Sequence, residues 1–196
     1  MNPTRILVIP GSARQGSWNV ALAAHAARRA QGLSMQATVL DLRALALPIY
    51  DGDLEKADGV PQGAYELQRA LEAADGVLVV TPEYNGFPTP LFINAFDWLS
   101  RIQPGAGQRS GLATTANKPV ALLAASPGAG GALRSMNYVR QYLQMAFQMI
   151  VVPQQFALAR ANEAFDEQGG LKDERAGQTV EGVLAALQTL AGALRR

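Results

Sequence analysis

Two apolar runs constrain this chain more than anything else in it. GVLVVT at Gly76–Thr81 and PVALLAA at Pro119–Ala125 show no polar alternation. A strand with one wet face alternates. A run that is apolar at nearly every position is buried on both faces, as in a parallel sheet covered by helices. Arg5–Pro10, with Ile6–Ile9 apolar before Pro10-Gly11, reads the same way. Between these runs the spacing turns helical. Ser17–Ala30 predicts a helix with Ser17 as N-cap and Gly32 as its stop. Tyr65–Ala74 sets Leu67, Ala70, Leu71 and Ala74 on one face, and Phe92–Ile102 does the same for Phe92, Ala95, Phe96 and Leu99. Leu133–Phe147 and the Ala/Leu-rich Thr179–Leu194 predict two further helices. Met35–Leu42 reads as a strand with Ala37, Val39 and Leu40 inward, and Gln148–Val152 as a short fifth strand.

Strands alternating with helices imply an α/β fold with a parallel sheet and helices on both faces. Right-handed crossovers leave few topologies, and of these the common five-strand order 2-1-3-4-5 is expected. In such sheets ligands sit beyond the C-terminal strand ends, near the point where the order reverses. Three loops with unusual chemistry leave those ends, after the first, third and fourth strands. The 196 residues are expected to form one domain, 1–196. The stretch from Gln103 to Asn117 is the expected mobile or partner-facing loop.

Composition removes several chemistries. There is no cysteine and a single histidine, so disulfides, thiolate sites, Cys nucleophiles and a zinc centre are not expected. His25 lies mid-helix among alanines and reads as a surface or partly packed residue; no G-x-S-x-G elbow accompanies it. A net charge of +1 gives no bulk attraction to nucleic acid or membrane. The N-terminal apolar run is too short for a signal peptide or a membrane span, so a cytoplasmic location is expected.

The first loop is GSARQGSWN, Gly11–Asn19. It leaves a buried strand and enters a helix, where free backbone N–H groups favour an anion. Ser12, Ser17 and Asn19 add side-chain donors and Arg14 a fixed charge. That is a phosphate cradle, against the blander reading of a polar turn that only caps a helix. Gly16 is followed by Ser17, so the lysine of a nucleoside-triphosphate loop is missing. Ala13 stands where the dinucleotide pattern needs its second glycine. A monophosphate ester such as FMN fits better.

The second loop, TPEYNGFPTP at Thr81–Pro90, is stiffened by Pro82, Pro88 and Pro90 and turned by Asn85-Gly86. It presents Glu83 and Tyr84 on a rigid backbone, a wall suited to a planar heterocycle. Glu83 reads equally well as a structural acceptor, and Asn94 and Asp97 as capping or solvated groups. The third loop, SPGAGGALRS at Ser126–Ser135, carries Gly128, Gly130 and Gly131, which permit close backbone approach to a ligand. The amides of Gly130 and Gly131, just before a helix, are expected to face negative charge on a reduced ring. The roles of Arg134 and Arg140 stay open.

Together, GSARQGSWN, the PEYNG run at Pro82–Gly86 and SPGAGG at Ser126–Gly131 resemble the NADPH-dependent FMN reductase family, which includes quinone, chromate and azo-dye reductases. The resemblance spans roughly Arg5 to Val152. It implies a flavodoxin-like three-layer sandwich that binds FMN. Ser12, Arg14, Ser17 and Asn19 would hold the phosphate; Pro82, Glu83, Tyr84, Asn85 and Gly86 would wrap the isoalloxazine; Ser126, Gly128, Gly130 and Gly131 would border it. It also implies a homodimer or homotetramer. The expected reaction has two steps: NADPH or NADH reduces the flavin, and a small-molecule acceptor then takes the electrons, with no protein nucleophile or base required. Rival readings are a flavodoxin-type electron carrier, a flavin-binding regulatory protein without turnover, and a nucleotide-binding enzyme without flavin. A carrier is expected to show a strongly acidic face, and this chain has a pI near 8.1.

Overall fold

The computed structural model describes residues 2–195. The elements run β1 (Thr4–Pro10), α1 (Trp18–Gly32), β2 (Met35–Val39), α2 (Gly52–Asp58), α3 (Gln62–Ala73), β3 (Gly76–Thr81), α4 (Pro90–Arg101), α5 (Gly111–Thr115), β4 (Pro119–Ala125), α6 (Leu133–Phe147), β5 (Ile150–Leu158) and α7 (Glu174–Leu194). The five strands form one all-parallel sheet in the order β2-β1-β3-β4-β5. This is the flavodoxin-like topology expected from the strand–helix alternation.

The alternation of side chains along each central strand splits the core into two layers. Leu7, Ile9, Val77, Val79, Val120 and Leu122 point to the face covered by α3, α4 and α6. Ile6, Val8, Leu78, Val80, Ala121 and Leu123 point to the face covered by α1 and α7. Both faces are dry, which is why the sequence shows no polar alternation in β3 and β4.

Several boundaries depart from the sequence reading. β2 is an edge strand, and Val39, expected inward, is exposed at its C-terminal end. β5 extends to Leu158, six residues beyond Val152, through a register shift opposite Val120/Leu122 that absorbs Pro153. α7 starts at Glu174, where Asp173 caps it, rather than at Thr179. The stretch from Gln103 to Asn117, read as a loop, contains α5 and a tight turn between Gly105 and Gln108. It is anchored by buried Gln68, whose amide donates to Arg109 O at 2.7 Å and Thr114 Oγ1 at 3.1 Å. His25 is buried, 3% exposed, where a surface or partly packed residue was expected. Among the described residues no helix is long and apolar enough to cross a membrane.

Candidate functional site

The strand register brings the three loops together. Pro10 pairs with Val80 and Thr81 with Ala124, so the chain leaves β1, β3 and β4 at one level of the sheet. The N-termini of α1, α4 and α6 open at the same edge, and each contributes partial positive charge there. The opposite edge collects helix C-termini. There Lys118 Nζ donates to Ala74 O at 2.7 Å, and burial pushes its pKa down, while Arg5 and Arg195 pair with Asp75.

The first loop is built as a cradle. Gly16 sits at φ +68°, a left-handed conformation that favours glycine, and the turn it makes returns the chain to the start of α1. Ser17 caps that helix, its Oγ accepting from Asn19 N at 3.2 Å and Val20 N at 3.4 Å. Its hydroxyl proton is left to donate. Among the described residues, the backbone N–H groups of Ser12, Ala13, Gln15, Gly16 and Trp18 have no acceptor. This run of unpaired donors, converging at a helix start, fits a phosphate monoester. Ser12 is buried beside it, with its Oγ 3.4 Å from Arg14 N. The Arg14 guanidinium lies across its own loop, donating to Gln15 O at 3.2 Å and Gly16 O at 3.0 Å, with its carbon 5.5 Å from the Trp18 ring centre.

Asn19 has a different task from the donor role expected of it. Its Nδ2 donates to Ala125 O and its Oδ1 accepts from Ala125 N, both at 2.9 Å. The amide is therefore committed at both ends and ties the start of α1 to the end of β4.

The second loop makes a two-residue hairpin. Tyr84 N donates to Phe87 O at 2.9 Å and Phe87 N to Tyr84 O at 3.0 Å, around Asn85 at φ +53° and Gly86 at φ +86°. Positive φ at both central residues is the type I′ arrangement that Asn-Gly favours. The N–H groups of Glu83, Asn85 and Gly86 are unpaired among the described residues. Pro82 is buried and its carbonyl accepts from Ser135 Oγ at 2.8 Å. The Glu83 carboxylate is paired with Arg134 and also accepts from Ser135 N at 3.4 Å. Glu83 is thus a structural acceptor. Tyr84 is exposed, and so are Phe87 and Tyr138, which stack with centroids 4.6 Å apart.

The third loop divides its glycines by task. A Cβ on Gly131 (φ +56°) would come within 2.8 Å of the Ala157 carbonyl carbon, so this glycine is required by packing against β5. Its amide donates to Gly128 O at 3.3 Å, so it does not face a ligand as expected. Among the described residues, Gly130 has open space around it and an unpaired N–H. Gly128 donates to Ser126 Oγ at 3.1 Å and sits exposed at the rim.

Residues missed by the sequence reading bolt these loops together. Thr89 Oγ1 donates to Gly11 O at 2.6 Å while capping α4, joining the first loop to the second. The Thr89-Pro90 pair is a readable helix-start signal. Ser135 bridges Pro82 O and Thr81 Oγ1 from 53 and 54 positions away, and no local pattern announces it. Asn94 accepts from Tyr50 N and donates to Pro48 O, both at 2.8 Å, pinning the segment before α2. Asp97 accepts from Tyr142 Oη at 3.3 Å; burial raises its pKa and that of Tyr142. Arg140 donates to Val152 O at 2.9 Å and to Gln155 Oε1 at 2.7 Å, so it secures α6 to β5.

Comparison with known proteins gives one family. A family model described as NADPH-dependent FMN reductase matches residues 4–163. The chain is 34% identical to an NAD(P)H-dependent FMN reductase of Pseudomonas aeruginosa, over 97% of each chain. It is 32% identical to a quinone reductase of Escherichia coli, over 85% of this chain and 83% of that one. Among solved structures, a flavoenzyme NAD(P)H:(acceptor) oxidoreductase from Paracoccus denitrificans superposes with a TM-score of 0.78 at 26% identity, covering 97% of this chain and 98% of that one.

Proposed function

The chain belongs to the NADPH-dependent FMN reductase family, and on that premise we propose that it is an FMN-dependent NAD(P)H oxidoreductase whose cofactor phosphate sits in the Gly11–Asn19 cradle. The observation that carries the assignment is the set of unpaired amides of Ser12, Ala13, Gln15, Gly16 and Trp18 among the described residues, set around left-handed Gly16 at the N-terminus of α1. A phosphate monoester satisfies such a cradle without a lysine or a second glycine. Ser12 and the free hydroxyl proton of Ser17 line it, and Arg14 lies over it.

When bound, FMN accepts hydride from NADPH or NADH and passes the electrons to a small acceptor such as a quinone, a flavin, chromate or an azo compound. The chain's residues do the holding. Pro82, Glu83, Tyr84, Asn85 and Gly86 form the wall, with the unpaired amides of Glu83, Asn85 and Gly86 available to the ring edge. Ser126, Gly128, Gly130 and Gly131 form the rim on the β4 side, where only Gly130 offers an unpaired amide among these glycines. Asn19 acts by position, fixing the cradle to β4. Glu83, engaged by Arg134 and Ser135, holds the wall and carries no proton in the reaction.

The whole chain is assigned as one FMN-binding domain working as a homodimer or homotetramer in the cytoplasm, where its nicotinamide donors are dissolved. Supporting the oligomer is the exposed apolar group of Tyr84, Phe87, Leu133 and Tyr138 beside the site. Light scattering of the FMN-loaded protein checks the assembly.

The test of the function is anaerobic stopped-flow reduction. Visible absorbance of the bound flavin should bleach with NADPH or NADH, and a quinone should restore it. Flavin that neither nicotinamide bleaches, or that no acceptor reoxidises, would overturn the proposal.

A further inference from the structure

The carbonyl of Pro82 is held by two hydroxyls that the proposed chemistry does not use. We infer that Ser135 and Thr81 are positioning residues: a buried pin that turns the Pro82–Glu83 peptide so that the Glu83 N–H is presented to the edge of the FMN ring. The inference rests on the reading of Pro82–Gly86 as the ring's wall.

Ser135 Oγ donates to Pro82 O at 2.8 Å, Thr81 Oγ1 donates to the same oxygen at 2.9 Å, and the two hydroxyls lie 3.2 Å apart. Each hydroxyl carries one proton, and the carbonyl has two lone pairs. The hydroxyls cannot both donate to each other, so at least one proton falls on Pro82 O in every arrangement of these contacts. Ser135 also holds the next residue. Its N–H lies in the first turn of α6, where no acceptor exists within the helix, and it donates to Glu83 Oε2 at 3.4 Å.

A trans peptide sets its C=O and its N–H on opposite sides. No peptide bond among the described residues is cis. With the Pro82 carbonyl turned toward α6, the Glu83 N–H is turned away from it, and among the described residues it has no acceptor. The peptide has little freedom to rotate. The Pro82 ring fixes its own φ and is set against the first loop, where a Cβ on Gly11 would lie 3.3 Å from Pro82 Cδ.

Ser135 and Thr81 are fully buried. A buried hydroxyl is costly without a partner, so the pair holds the carbonyl as firmly as the carbonyl holds the pair. The pin is complete within one chain and does not depend on what covers the outer face of α6. Its consequence is electrostatic. A reduced flavin ring carries more negative charge than an oxidised one, so a donor fixed at its edge favours the reduced form. A peptide released to rotate loses that preference.

The test has two readouts. In the wild-type protein, the amide resonances of Glu83, Asn85 and Gly86 are followed as FMN is added, and the Glu83 resonance should move downfield as its N–H gains an acceptor. The midpoint potential of the bound flavin is then measured at equilibrium against a reference dye. The double variant Ser135→Ala/Thr81→Val should lower the preference for reduced over oxidised FMN by about tenfold, a fall of about 30 mV for a two-electron couple, and should lose the Glu83 shift. Ser135→Ala/Thr81→Ser should stay within about twofold of Ser135→Ala alone, because serine keeps the hydroxyl and loses only the methyl, whereas valine keeps the shape and loses the hydroxyl. The reverse order of valine and serine would make the pair a packing contact and overturn the pin. FMN that moves the Asn85 and Gly86 resonances but not that of Glu83, or a double variant within about twofold of wild type, would overturn the pin and leave the wall reading intact. FMN that moves none of the three would overturn the wall reading and the pin with it. If the double variant does not fold, Thr81→Val against Thr81→Ser in the otherwise native chain decides by the same order, read as the size of the Glu83 shift.

Discussion

Asn19 and Ala125 exchange two hydrogen bonds, each of 2.9 Å, across 106 residues of sequence. The side-chain amide mimics a neighbouring strand: it satisfies the N–H and the C=O of the last residue of β4, just beyond the end of the β3–β4 ladder. Because Asn19 is also in the first turn of α1, the same contact fixes the cradle against the sheet. Asn19→Ala should cost about 2–4 kcal/mol, since it strands a buried donor and a buried acceptor. Asn19→Asp should be at least as damaging, because a carboxylate oxygen then faces the Ala125 carbonyl. Urea unfolding of the apoprotein measures both. A cost below about 1 kcal/mol for each would mean that water replaces the clasp at no loss.

The glycines of the third loop separate packing from ligand approach. Gly131→Ala combines a left-handed backbone with a Cβ driven into Ala157 and should destabilise by about 2–4 kcal/mol. Gly130→Ala meets nothing within 4 Å. It should leave stability within about 0.5 kcal/mol of wild type. FMN affinity, measured by fluorescence quenching, is where a Gly130→Ala effect should appear. Equal unfolding midpoints for the two variants would contradict the division.

His25 gives a pH dependence. Its Nε2 is buried without a hydrogen-bond partner among the described residues. Burial, then Arg29 and Arg28, hold its pKa below the ordinary 6.5, with Asp166 and Glu181 opposing weakly. The unfolded chain therefore takes up the proton before the folded one. Stability is complete above pH 6.5 and falls as the pH drops from 6.5 toward the depressed folded value. His25→Gln should flatten the stability profile between about pH 6.5 and 5.5, since no other histidine titrates there. A slope that persists in the variant would assign it to other groups.

The sequence made the sheet legible where burial was complete. β3 and β4 are apolar at nearly every position because helices cover both faces, so their ends could be read directly, while their place in the sheet followed from crossover handedness. Val39 misled for the converse reason: β-branched residues suit an edge strand as well as a buried one. The three site loops were legible through turn chemistry. Gly16 and Asn85-Gly86 stand where φ is positive, and local sterics choose those residues. What could not be read was how the loops join. Asn19 to Ala125, Thr89 to Gly11, and Glu83 to Arg134 lie 106, 78 and 51 positions apart, and each looks locally like an ordinary polar residue. Gly131 shows the same limit: a glycine needed for packing and one open to a ligand are identical in sequence.

The central claim is that the Gly11–Asn19 cradle holds FMN by its phosphate. It is tested most directly by comparing FMN with riboflavin, which lacks only the phosphate, in wild type and in an Arg14→Ala/Ser17→Ala double variant. Each charge-assisted contact is worth about 1.5–3 kcal/mol. Wild type should therefore bind FMN at least about a hundredfold more tightly than riboflavin. The double variant should close most of that gap by weakening FMN alone. Equal affinities of wild type for the two flavins, or a double variant that keeps the full preference, would contradict the account.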